Sequence, residues 1–202
     1  MMQERGGFLD FARLVIDALD AAEISYLVGG AVAVWAWGEP RTTQDFDLVI
    51  HLPAERILML SHELGTRRML APPDILLDLL LQSEGDLPVN AIHLDSGYKA
   101  ELFLLREGDK FRASALKRRR LIDFGPPLGM IYVHAPEDLI LNKVAYYGLS
   151  GQTKHVRDIA SILVTLEEDE LDRDYLEKWV TYLGLDEAWL EVKLEVERLL
   201  AS

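Results

Sequence analysis

Asp45 and Asp47 stand two residues apart in Asp45-Phe46-Asp47-Leu48-Val49-Ile50, a segment that alternates at its start and ends in a continuous apolar run. That pattern predicts a β-strand, and residues two apart on a strand leave the same face, with Cα atoms about 7 Å apart. Two carboxylates over one site repel each other unless divalent cations sit between them. Mg²⁺ is the natural guest, as in phosphoryl-transfer sites whose paired metals lie about 3.5 to 4 Å apart. Upstream, Gly29-Gly30 separates the apolar Ile24–Val28 from Ala31–Trp37. A glycine turn between a strand and a helix leaves backbone N–H groups at the positive end of the helix dipole, where phosphate can be cradled. Taken singly, the acids open a strand and the glycines make a tight turn; taken together they point to phosphate chemistry.

Such a site needs a third carboxylate on a neighbouring strand. Glu101 falls within Lys99–Leu105, where alternation sets Lys99, Glu101 and Phe103 on one face. Asp95 competes with it, but Asp95 adjoins Ser96-Gly97 and is explained as a turn residue, so Glu101 is preferred. Arg41 and Thr43 precede the acidic strand and could touch phosphate, or could stop a helix and cap a turn. The only basic run, Lys117-Arg118-Arg119-Arg120, could hold a triphosphate or an RNA backbone; as a rule such a run is a solvated face. Lys154 and Asp158 are spaced to pair across one helical turn. Trp35, Trp37, Tyr146 and Tyr147 could stack a base, though aromatic residues at such positions are more often core, and His155 has no evident partner.

The elements that must position these residues follow from periodicity. Phe8, Phe11, Leu14, Val15 and Leu19 predict an amphipathic helix ending near Ala22, followed by the short strand Ile24–Val28 and a buried helix Ala31–Trp37. Pro53 opens a helix to about Gly65, Pro72-Pro73 opens another through Leu81, and Gly85–Pro88 marks a turn. Val89–Leu94 and Lys99–Leu105 read as a hairpin. After Pro126-Pro127 the pattern turns helical, over Pro136–Gly148, Thr153–Leu166, Asp172–Leu183 and Asp186–Leu200. The division expected is therefore residues 1–127 as an α/β core and 128–202 as a helical portion packed on it.

Composition sets the outer limits. The chain has 202 residues, 50% hydrophobic and 27% charged, which is globular, and no cysteine, which excludes disulfides, thiol catalysis and iron–sulfur clusters. The longest uncharged stretch, Ile24–Gly38, contains Gly29-Gly30 and is too short to span a bilayer, and the first residues show no secretory signal, so a cytoplasmic protein is expected. The net charge of -13 repels polyanions at long range, yet it is uneven. Residues 167–202 hold 12 acids and four bases, whereas residues 99–120 hold eight bases and three acids.

Leu27-Val28-Gly29-Gly30-Ala31, followed by Gly38-Glu39-Pro40-Arg41-Thr42-Thr43-Gln44-Asp45-Phe46-Asp47-Leu48, resembles the signature of the polymerase-β-like nucleotidyltransferases. Lys99-Ala100-Glu101-Leu102, Pro136 to Lys143 and Lys154-His155-Val156-Arg157-Asp158-Ile159 resemble the bacterial branch that includes abortive-infection and toxin–antitoxin nucleotidyltransferases. The resemblance implies an α+β fold, a mixed sheet flanked by helices with a C-terminal helical portion. It implies two Mg²⁺ ions on Asp45, Asp47 and the third acid, and a nucleoside triphosphate at Gly29 and Gly30 with Arg41, Thr43 and Lys143 as further contacts. The activity implied is transfer of a nucleoside monophosphate to a hydroxyl on an RNA end, a protein or a small molecule, with a cognate toxin or antitoxin as a partner. The family's third acid is usually Asp; Glu101 is one methylene longer, which leaves a catalytically silent nucleotide-binding or antitoxin-like module as the alternative.

Overall fold

A computed structural model describes residues 7–82 and 86–201. Its first half alternates helix and strand: α1 (Phe8–Ala21), β1 (Ser25–Val28), α2 (Gly30–Trp37), β2 (Asp45–His51), α3 (Ile57–Thr66), β3 (Met69–Leu70), α4 (Pro73–Leu81), β4 (Val89–His93) and β5 (Lys99–Leu104). There follow α5 (Lys110–Arg118), β6 (Arg120–Asp123) and β7 (Met130–Val133), and then four helices, α6 (Pro136–Ser150), α7 (Thr153–Thr165), α8 (Arg173–Tyr182) and α9 (Asp186–Leu200). The turn expected from Gly85 begins outside the described residues.

Among the described residues, seven strands form one mixed sheet in the order β3-β4-β5-β2-β1-β7-β6. β2 runs parallel to β5 and β1 parallel to β7, while the other neighbours are antiparallel. The α+β architecture is the one expected, with additions: β3, α5, β6 and β7 have no counterpart in the periodicity. β7 lies beyond residue 127 and still pairs within the sheet, between β1 and β6. The all-helical run begins at Pro136, which takes the first helical position of α6 where its missing N–H removes no bond.

The two faces of the sheet differ. Phe46, Leu48 and Ile50 of β2 and Ala100, Leu102 and Leu104 of β5 are buried in the main core with Phe11, Val15 and Leu19 of α1 and Leu60 and Leu64 of α3. On the opposite face Leu27, Val49, Ala115 and Leu116 form a smaller cluster beneath α5, backed by Phe103. Because strand side chains alternate, this burial fixes which way Asp45, Asp47 and Glu101 point. A one-residue slip of β2 would expose Phe46, Leu48 and Ile50, each contributing about 1.5 to 3 kcal/mol when buried. Their sum is comparable with the whole net stability of a domain, about 5 to 15 kcal/mol, so the acidic face is not free to turn over.

Candidate active site

The parallel register of β2 and β5 sets Asp45 opposite Lys99 and Asp47 opposite Glu101. Asp45, Asp47 and Glu101 line one cavity of about 310 Å³, together with Gly29, Gly30, Arg41, Thr43 and Lys143. Asp95 is elsewhere, at the β4–β5 turn, where its carboxylate receives both Nε (2.5 Å) and Nη2 (2.7 Å) of Arg68.

Asp47 is held in an electrostatically unfavourable place. Burial raises its pKa to about 6, and the Glu101 carboxylate beside it adds to the rise, against a partial offset from Lys143. Its position depends on the glycine turn. Gly29 N–H donates to the Asp47 carbonyl at 2.8 Å, and Gly30 sits at φ +58° with the Asp47 carboxylate directly above it. A Cβ at Gly30 would lie 1.7 Å from Asp47 Oδ2, so only glycine leaves room for that carboxylate. The same turn opens α2, whose first amides have no acceptor within the helix and whose first residues, Gly30 and Ala31, line the cavity.

Thr43 acts on Asp45. Its hydroxyl donates to the Asp45 carbonyl at 3.0 Å and accepts from the Asp45 N–H at 3.3 Å, closing the turn that starts β2. Trp35 Nε1 donates to the Arg41 carbonyl at 3.0 Å and Trp37 Nε1 to the His134 carbonyl at 2.8 Å, so both indoles brace the segment around the site instead of entering it.

The cationic wall is built around Asp158, which is 3% exposed. Arg41 grips Asp158 with Nε at 2.8 Å and Nη2 at 3.1 Å, and Lys143 Nζ reaches the same carboxylate at 2.7 Å. Burial would raise the Asp158 pKa, but Arg41 and Lys143 outweigh it and hold the carboxyl below its usual range. Burial likewise pulls the Lys143 ammonium down, against the pull of Asp158. The i, i+4 pairing of Lys154 with Asp158 is therefore a correction: Asp158 turns inward from α7 to Arg41 and Lys143, and Lys154 is exposed at the cavity rim. A guanidinium and an ammonium on one buried carboxylate leave a net single positive charge, held in place beside the cavity and suited to phosphate oxygens.

Other lining residues carry no individual signal in the sequence. His134, fully buried, sits against Gly29, and Asn142 Nδ2 lies 3.2 Å from its Nε2. Burial, with Arg112 and Lys143 nearby, drives the His134 pKa down to about 3, so the imidazole is neutral. Tyr146, read as core, lines the cavity and stacks on His155 with ring centroids 6.0 Å apart. Arg112 also lines it, anchored by Asp86 and lying over the Phe103 ring. The basic run takes no part: Arg118 bonds Glu137 at 2.8 Å and covers Tyr175, Arg119 covers Tyr132, and none of residues 117–120 lines the cavity.

The donor set fits a divalent cation: three carboxylates share a face, and Asp47 carries a raised pKa that a cation would relieve. They are not drawn into a finished cage. Among the described residues no group of three or more His, Asp or Glu side chains is arranged to hold a metal. Lys99 Nζ stands instead 3.3 Å from Asp45 Oδ1 and 2.5 Å from Glu101 Oε1.

The mixed sheet with its flanking helices is a fold shared with solved nucleotidyltransferase structures. The solution structure of the antibiotic-resistance factor ANT(2'')-Ia matches 93% of this chain over 96% of its own, with a TM-score of 0.57 and 15% identity. The crystal structure of ANT(2'')-Ia in complex with adenylyl-2''-tobramycin matches with a TM-score of 0.50 at 15% identity, over 94% of this chain and 97% of that one. An antigenic nucleotidyltransferase-like protein from Paracoccidioides brasiliensis gives a TM-score of 0.50 at 21% identity, over 89% and 91% of the two chains. At these identities the likeness is one of fold. No protein-family profile and no curated protein sequence matches the chain.

Proposed function

We infer that the protein is a metal-dependent nucleotidyltransferase that moves a nucleoside monophosphate from a triphosphate to a hydroxyl acceptor. The observation that carries this reading is the placement of Asp47 between Gly30 and Glu101, within a cavity also lined by Arg41 and Lys143, which share the Asp158 carboxylate. One cavity thus holds acids for a cation, amides for phosphate and fixed positive charge for the rest of the triphosphate. Asp45, Asp47 and Glu101 are the carboxylates that would supply oxygens to a divalent ion, Mg²⁺ by the chemistry of an all-oxygen set. When bound, it neutralises the carboxylates and the phosphate oxygens around the reacting phosphorus.

The chain's own residues divide the remaining work. The Gly30 and Ala31 amides and the Arg41 and Lys143 cations hold the leaving pyrophosphate as negative charge develops on it. An acceptor oxygen forms the new bond to the α-phosphorus as the bond to the pyrophosphate oxygen breaks. Glu101, opposite Asp47 in the β2–β5 register, takes the acceptor hydroxyl proton. Thr43 keeps Asp45 on that face through the turn at the start of β2.

Transfer of label from an α-labelled nucleoside triphosphate to RNA ends, protein or small hydroxylated compounds tests the reading. Label should move in Mg²⁺ with the natural chain and fall by at least about 100-fold in Glu101→Gln. Metal-dependent binding of the triphosphate without label transfer to any of these acceptors would instead identify a silent nucleotide-binding module.

A further inference from the structure

The acidic face carries its own cation. Lys99 is directly opposite Asp45 in the β2–β5 register and two residues before Glu101 on the same face of β5. Its ammonium lies between the two, 3.3 Å from Asp45 Oδ1 and 2.5 Å from Glu101 Oε1. Mg²⁺ draws oxygens to about 2.0 to 2.1 Å, closer than an ammonium holds them, so one ion cannot take Asp45 and Glu101 together while Nζ remains there. Asp47 differs: among the described residues no Lys or Arg forms a salt bridge with it, and its neighbour is the Glu101 carboxylate. Three acids thus divide into two held by Lys99 and one left for an incoming cation.

Building on the metal-dependent reading above, we propose that Lys99 is an internal counter-cation that takes the place of one divalent ion, so that the site binds one such ion tightly and a second only by evicting the ammonium. Specificity for metal number would then reside in a side chain of this chain and not in the acids alone. The acids of an Asp-x-Asp strand and a partner strand set the number of available oxygens; Lys99 sets how many are already engaged. The Lys99 side chain is 40% exposed, so it can swing into solvent and can be replaced without opening the core.

Mn²⁺ binding to the full chain, followed by the electron paramagnetic resonance signal of the free ion, tests this without any turnover. Natural chain is expected to take up about one tight Mn²⁺, with a second at least about tenfold weaker, and Lys99→Met to take up about two of similar affinity. Lys99→Arg, which keeps the charge, should follow the natural chain, and matching melting curves in EDTA would show that all three fold alike. Identical Mn²⁺ isotherms for the natural chain and Lys99→Met, with binding present, would overturn the proposal while leaving the metal-dependent reading standing. Absence of Mn²⁺ uptake by both would overturn the two together.

Discussion

Gly30 is the residue on which the acidic face depends most sharply. Its φ of +58° disfavours any side chain, and a methyl group there would lie 1.7 Å from Asp47 Oδ2. Gly30→Ala must therefore push the Asp47 carboxylate away from the cavity or distort the turn, and displacement of about 1 Å in such a site can reduce rate about 100-fold. Label transfer should fall by at least that factor while the far-ultraviolet spectrum stays unchanged; a Gly30→Ala protein with natural activity would show that Asp47 need not sit where it does. This coupling is invisible in the sequence, which shows Gly29-Gly30 and Asp47 as separate motifs. Their contact arises only because β1 and β2 pair antiparallel, with Val28 opposite Leu48. The choice between Glu101 and Asp95 likewise needs the β2–β5 register, since both residues lie near strand ends in the sequence and only one faces Asp47.

Between elements, Asp158 is a three-way tie, joining α7 to Lys143 of α6 and to Arg41 in the segment before β2. Asp158→Asn would leave the Lys143 ammonium buried without an anion, which costs about 3 to 5 kcal/mol. At about 2 to 4 °C per kcal/mol for a chain of this size, melting should drop by about 10 °C; an unchanged melting temperature would mean that Lys143 finds another partner. The ends of β7 and α7 add a pH dependence. Burial lowers the pKa of His134 to about 3, with Arg112 and Lys143 contributing, and that of His155 to about 4, with Lys143 and Lys154 contributing against Asp158. A folded pKa below the unfolded value of 6.5 gives stability that is complete above pH 6.5 and is lost as pH falls toward 3 to 4. His134 alone should remove about 2 kcal/mol by pH 5, whereas Asp47, raised to about 6, returns about 1.4 kcal/mol over the same range. Melting in EDTA should thus fall between pH 7 and pH 5, and less steeply in His155→Phe, which keeps the stacked ring; a flat profile would contradict neutral burial of these imidazoles. Long periodic helices such as α1 and α9 are legible from spacing alone. β3 has two residues, β6 is largely exposed and α5 is mostly polar, so none of them shows a periodic apolar signal.

At the scale of the whole molecule, long-range field and local chemistry point in opposite directions. The net charge of -13, concentrated in residues 167–202, attracts cations from a distance. Among the described residues that line the cavity, however, the only acids are Asp45, Asp47 and Glu101, while Arg112 and Lys154 stand with Arg41 and Lys143. A polycationic acceptor would have to compete for the same carboxylates as the metal. Tobramycin, adenylylated in the complex of ANT(2'')-Ia, should therefore not be labelled by this protein, and neutral or anionic hydroxyl compounds should be better acceptors; efficient labelling of tobramycin would contradict the charge argument. Among the described residues no helix is long and apolar enough to cross a membrane. Calorimetric titration with a non-hydrolysable nucleoside triphosphate tests most directly whether that cavity is a metal-bridged triphosphate site. Binding is predicted in Mg²⁺, with loss in EDTA and in Asp47→Asn; equal affinity in Mg²⁺ and EDTA would contradict the account and leave the glycine turn as architecture alone.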